Sequence, residues 1–237
     1  MICPRCRRSF YFLESTAQDS GAQCAKCGYQ GKPAAPSYEG YHEALYLSKP
    51  YVRTPKTDPQ MRWVLEKMAI RQNEVVIDLG CGVGDYTRAI HDLGANVAGY
   101  DRDVTSAKKK YPGLSFYELD FSRPVPLPAE SVDKVISVYT IEHLWDWEFF
   151  LQECRRVLKP GGLAVFSTAN RDFLLHDFHF DPTHLHEWPL GVFEKKVAPY
   201  FEKLHARKDC AMFKYYPFNL FFCHFLKPDL VFIGQKK

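Results

Sequence analysis

One stretch constrains the fold of this chain more than any other: Val75-Val76-Ile77-Asp78-Leu79 runs directly into Gly80-Cys81-Gly82-Val83-Gly84. The first five residues are a short, mostly β-branched run, which reads as a buried strand. The glycines that follow let backbone approach a ligand without a Cβ in the way. A helix comes next, with Tyr86, Ala89, Ile90 and Leu93 on one face. Strand, glycine-rich turn and helix N-terminus together form a general nucleotide-binding device. The dinucleotide fingerprint wants glycine at its first, third and sixth positions. Counted from Gly80 the sixth position is Asp85, which disfavours a dinucleotide.

The segments beyond the loop repeat the alternation. Asn96 to Asp101 reads as a second strand, ending in an acid placed about 20 residues past the loop, where a carboxylate can meet ribose hydroxyls. Leu114 to Phe121 gives a third strand with Asp120 near its end, and Asp133 to Thr140 a fourth. A helix from Trp147 to Leu158, the turn Lys159-Pro160-Gly161-Gly162 and the strand Leu163 to Ser167 complete the series. Alternating strands and helices predict a doubly wound parallel sheet with ligand at the carboxyl ends of its strands. Upstream, Asp58-Pro59 has the form of a helix start, and Met61, Val64, Leu65 and Met68 repeat at helical spacing as a core stripe. Asp229 to Gly234 reads as the last strand.

On these residues the chain resembles the class I S-adenosylmethionine-dependent methyltransferases, the small-molecule type in particular. The resemblance covers residues 72–170. It is carried by Val76 to Gly84, Asp101, Leu119-Asp120-Phe121, Ile141-Glu142-His143 and Leu158-Lys159-Pro160-Gly161-Gly162. It implies an α/β, Rossmann-like, mostly parallel sheet of seven strands. It also implies S-adenosylmethionine as the methyl donor. Gly80, Cys81, Gly82 and Gly84 would line its methionine and ribose portions, and Asp101, with Arg102 beside it, would hold the ribose. Asp120 would meet the adenine amino group, with Phe121 beside the ring. Asp78 would orient the loop and the amino end, and Tyr139 would complete the site.

The acceptor side is read from the loops after the fourth and fifth strands. Methyl transfer is an in-line displacement, so alignment and exclusion of water matter most. A base is needed only for a protonated nucleophile. His143 is either such a base or a loop hydrogen-bonding group. His184 and His186 lie in a loop that holds four of the nine histidines. They fit an acid–base or pocket role, structural hydrogen bonding, or a metal. An Asn-Pro-Pro-Tyr motif, which marks methylation of base or glutamine amino groups, is not at the end of the fourth strand, which reads Ser137-Val138-Tyr139-Thr140. Cys81 and Cys154 read as small buried residues.

The cysteines add a second unit. Cys3-Pro4-Arg5-Cys6 and Cys24-Ala25-Lys26-Cys27 are two CxxC pairs with 17 residues between them. That spacing predicts a four-cysteine structural zinc site, a ribbon over residues 1–32. About 30 residues bury little core, so the metal would supply most of the folding free energy. A connector over 33–57 is rich in proline and tyrosine, with Glu39 to Leu47 as a short helix, and wraps the methyltransferase domain at 58–237. The whole net charge of +3 lies in the ribbon, which has five basic and two acidic residues. The other 205 residues carry 26 of each sign. RNA binders usually show a broad cationic face, so a small-molecule or lipid-like acceptor, methylated at O or N, ranks above RNA gripped by the ribbon. A non-catalytic cofactor-binding partner protein is the third reading. The aromatic segment from Phe213 to Phe225 fits core packing, a substrate wall, a dimer surface or membrane contact. No stretch reaches the ~18 apolar residues of a membrane helix, and the first residues have no apolar signal core, so the expected location is the cytoplasm.

Overall fold

The computed structural model describes residues 53–172, 184–209 and 229–237. The expected zinc ribbon, most of the expected connector and the aromatic segment 213–225 lie outside the described residues. Helix α1 (Pro59–Met68) starts where the sequence predicts: the Asp58 carboxylate accepts the Met61 N–H at 3.0 Å, with proline at the first helical position. Met61, Val64, Leu65 and Met68 are all buried.

Seven strands follow: β1 (Val75–Leu79), β2 (Asn96–Asp101), β3 (Ser115–Glu118), β4 (Val132–Val138), β5 (Leu158–Ala169), β6 (Phe201–Asp209) and β7 (Asp229–Lys236). They form one sheet in the order β3-β2-β1-β4-β5-β7-β6. The pairs among β1 to β5 are parallel, while β7 runs antiparallel to both β5 and β6. Helices α2 (Asp85–His91), α3 (Thr105–Lys110), α4 (Trp147–Val157) and α5 (Leu190–Val197) complete the described fold.

Strand alternation divides the core into two layers, because successive side chains point to opposite faces. Ile77, Leu79, Val135, Ala164, Phe166, Leu230 and Phe232 pack with Phe150, Leu151 and Phe193 of α4 and α5. Val76, Ile136, Val165, Val231 and Ile233 pack with Met61, Val64, Met68, Tyr86 and Ile90 of α1 and α2. The central strands are therefore apolar on both faces, as a helix-covered parallel sheet requires. The edge strand β6 instead exposes Glu202, Lys203, Leu204 and His205, and the charges blunt an open edge.

Three local expectations change. The turn Lys159–Gly162 lies inside β5. Val132 pairs with Leu158 and Lys134 with Leu163, so four residues bulge out opposite Asp133. The Lys159 ammonium binds the Asp133 carboxylate at 2.8 Å across that bulge, which joins two stretches of strand into one. Leu93 is exposed, because α2 ends at His91. Asp120 lies in the turn beyond β3, which stops at Glu118.

Candidate active site

The strand order reverses between β1 and β4, and open α/β sheets bind ligands in the crevice outside the carboxyl ends of the strands at such a point. The glycine loop leaves β1 there. Gly80 has φ +81°, and a Cβ on it would lie 1.9 Å from Thr140 Oγ1, so β1 and the end of β4 meet only because this side chain is absent. Gly82 has φ +52° and a Cβ there would meet nothing within 4 Å. One glycine serves packing; the other faces open space.

Hydrogen bonds fix the loop. The Gly80 and Cys81 N–H groups both donate to the Tyr100 carbonyl, at 2.7 and 3.1 Å. The Gly82 N–H donates to Asp101 Oδ2 at 2.8 Å, which ties the loop to the end of β2. Asp78 is buried and accepts the Thr87 hydroxyl proton at 2.6 Å. Burial, opposed by that hydrogen bond, pushes its carboxyl up to about 7. Burial also pushes the Cys81 thiol far up, so it is an unreactive packing group.

The residues expected at the adenine end sit further out. Asp120 is half-exposed and accepts the Ser122 N–H at 3.0 Å, which holds its carboxyl below the usual range. Arg102 lies 3.9 Å from it and is itself exposed. Phe121 is partly buried and packs edge-on against Phe150 at 5.3 Å.

Sequence reasoning missed Arg53, at the described end of the connector. Its backbone N–H donates to Asp85 at 2.9 Å and its guanidinium pairs with Asp58 at 2.5 Å. The same guanidinium lies 5.6 Å from the Tyr86 ring centre and 5.9 Å from that of Tyr139. Tyr139 has φ +57°, uncommon outside glycine, and burial pushes its phenol well up. The buried Tyr86 hydroxyl has no hydrogen-bond partner. The guanidinium, paired with Asp58, stands over two tyrosines next to the start of α2, which follows the glycine loop. No periodicity or motif marks Arg53; only the fold brings it to the loop.

The histidines expected on the acceptor side are brought together across a long sequence gap. After β4, a 3₁₀ turn spans Ile141–His143. The Glu142 carbonyl accepts the N–H groups of Leu185 and His186, at 2.7 and 3.1 Å, which staples residues 185–186 onto that turn. His143 and His184 thereby meet edge-on, with ring centres 4.9 Å apart. His184 Nδ1 lies 2.6 Å from the Glu187 carboxylate. His186 instead stacks flat on Trp188 at 5.1 Å. Burial pushes its imidazole down to about 4, so it is neutral near pH 7, and its Nε2 has no partner. The structure thus joins His143 to His184 and sets His186 apart in an aromatic stack. A hollow of about 670 Å³, lined by Val75, Asn96, Ser115 and Tyr117, lies at the opposite edge of the sheet, where the strands begin.

Comparison with known proteins agrees with this geometry. Residues 77–166 match the family described as a methyltransferase domain. A probable S-adenosylmethionine-dependent methyltransferase of Mycolicibacterium smegmatis is 39% identical over 114 residues, 44% of this chain and 44% of that protein. A ubiquinone biosynthesis O-methyltransferase of a Bradyrhizobium species is 32% identical over 140 residues, 53% of this chain and 55% of that protein. The chain spans about half the length of these curated relatives. A SAM-dependent methyltransferase structure from Aquifex aeolicus shares the fold, with TM-score 0.63 and 15% identity over 84% of this chain and 98% of that one. Residues 77–166 are thus similar to a methyltransferase domain, and the relatives matched there include proteins named as S-adenosylmethionine-dependent methyltransferases.

Proposed function

We propose that the protein transfers a methyl group from S-adenosylmethionine to an oxygen or nitrogen of a small-molecule or lipid-like acceptor. The observation that carries this reading is the open face of Gly82, which is tied to the Asp101 carboxylate at the point where strand order reverses.

The residues present fit the donor. Gly82 leaves room for a ligand against backbone, and Gly80, Cys81 and Gly84 shape the rest of the loop. Asp101, beside Arg102, offers a carboxylate to ribose hydroxyls, and Asp120 and Phe121 stand at the adenine end. Asp78 and Tyr139 flank the amino-acid end, with the Arg53 guanidinium suited to a carboxylate. When bound, the donor supplies an electrophilic methyl carbon on a sulfonium. The chain's own groups then bind and orient, and a proton from a hydroxyl acceptor passes to a nearby base. His143 and His184 take that role, and His186 on Trp188 forms part of the wall.

A small oxygen-bearing acceptor is supported by the likeness to the ubiquinone O-methyltransferase and by the aromatic Trp188 beside the histidines. Trp145, exposed on the loop after the 3₁₀ turn, adds apolar surface. The N-terminal cysteines would hold a structural zinc whose basic ribbon serves docking or RNA contact. The test is label transfer from methyl-tritiated S-adenosylmethionine to total RNA and, separately, to a small-molecule extract. Label in the extract is the expected result. Label in RNA alone would replace the acceptor with RNA, and label in neither would leave a cofactor-binding partner protein.

A further inference from the structure

We propose that Glu142, His143 and His184 form a site for one divalent transition-metal ion of the zinc, iron or manganese type. A ligand atom from each of the three lies within 4.8 Å of the others. Glu142 is fully buried, and neither of its carboxylate oxygens has a hydrogen-bond partner. A buried acid left this way costs free energy unless something pairs with it, and buried charges are paired or coordinate metals. The two imidazoles beside it are the complementary donors.

The surroundings have the form of a metal site. The carboxylate of Glu187 lies 2.6 Å from His184 Nδ1. An ionised carboxylate only accepts, so with Glu187 ionised a neutral His184 would carry its proton on Nδ1 and present Nε2 as the ligand atom. A carboxylate that fixes a histidine tautomer in this way is the usual outer partner of a metal-bound imidazole. The two Glu142 backbone hydrogen bonds hold the segment that follows His184 in place, which makes the approach of the three groups a feature of the fold. Bonds of about 2.0–2.2 Å place donor atoms about 3–3.5 Å apart, so the histidines draw in by roughly 1 Å. Both are only partly buried.

The donor set selects the ion. Two imidazoles and one carboxylate favour zinc or iron over magnesium and calcium, which take all-oxygen shells. Three protein ligands also leave a position open. Resting on the methyl-transfer reading, that position is where an acceptor hydroxyl would bind; the ion would lower its pKa so that its proton leaves to solvent, and His143 and His184 would then act as ligands in place of the base role given above. The site begins two residues after Thr140, whose side chain abuts Gly80 of the cofactor loop.

The test is cobalt(II) titration of the full-length, chelator-stripped protein near pH 7.5. Cobalt bound by the N-terminal cysteines shows a strong thiolate charge-transfer band, whereas the site proposed here has no sulfur and lacks it. Wild type should bind one more equivalent than Glu142→Gln or His184→Ala, without added charge-transfer intensity. Glu187→Gln should weaken that equivalent about tenfold. Equal stoichiometry in wild type and in His184→Ala overturns the site. His184 is nearer the surface than Glu142, so that variant decides the matter if Glu142→Gln does not melt cooperatively. Thermal stabilisation by S-adenosylhomocysteine is measured alongside. Stabilisation with equal cobalt rejects the metal alone. Extra cobalt without stabilisation keeps the metal and rejects the methyl-transfer reading.

Discussion

The two ends of the crevice are built in different ways. At the cofactor loop, the backbone amides and the acids are matched within the protein, Gly82 N–H to Asp101, Thr87 to Asp78, and two amides to the Tyr100 carbonyl, and the nearby Tyr86 hydroxyl is the exception. At the histidine end, Glu142 Oε1 and Oε2 and His186 Nε2 are buried without partners. The first end is preorganised by these bonds. The second holds unmet hydrogen-bonding capacity, which is where a protein leaves groups for something else to bind. On the methyl-transfer reading proposed above, the first end would hold the donor and the second the acceptor.

Substitutions can break this contrast, and the largest effects belong to the loop. Gly80→Ala places a methyl group on Thr140 and should cost about 3 kcal/mol or more of stability, read as a lower urea midpoint. Gly82→Ala meets open space, so its stability cost should stay near 1–2 kcal/mol, from its positive φ. It should nevertheless remove most stabilisation by S-adenosylhomocysteine in a thermal melt. Equal behaviour of the two variants would show that Gly82 does not face the ligand. Asp101→Ala should weaken that ligand about tenfold or more in calorimetry, through the lost carboxylate and the freed loop amide. An unchanged affinity rejects the ribose assignment.

Intermediate effects concern Asp78. Its folded carboxyl is raised to about 7 by burial, so between about pH 4 and 7 the folded state binds more protons than the unfolded one. Stability of the ligand-free protein should therefore fall as pH rises through that window, by on the order of a few kcal/mol at most. Asp78→Asn should flatten the slope in urea denaturation between pH 5 and 8. A wild type whose stability does not fall over that range contradicts the raised value. The smallest effect is at His186, whose imidazole is pushed down to about 4 by burial. Its ring resonances should not titrate between pH 5.5 and 8. His186→Phe keeps the stack on Trp188 and should change label transfer less than His184→Ala does. The reverse order would move the proton-accepting role to His186.

The same contrast decides what was legible in the sequence. The cofactor end is written in contiguous runs, from Val75 to Gly84 and at Asp101, because one strand–turn–helix unit presents it. The central strands were legible because both of their faces are apolar. Lys159–Gly162 misled because its turn residues form a bulge, with Lys159 pinned to Asp133 across the gap. The histidines were visible as residues, but their partition was not. His143 and His184 are 41 positions apart and meet only through the Glu142 carbonyl. Arg53 carried no local signal at all.

The sequence by itself therefore determined the sheet, its glycine loop and the acid Asp101 at the end of β2, because strand period, turn chemistry and loop length act over a few residues. It also sets the spacing of the two CxxC pairs near the N-terminus. Tertiary structure alone decided which histidines share a site, that Glu142 is buried without a partner, and that a connector arginine reaches the loop. Those outcomes depend on which distant segments pack against the carboxyl edge of the sheet, and no local spacing encodes that.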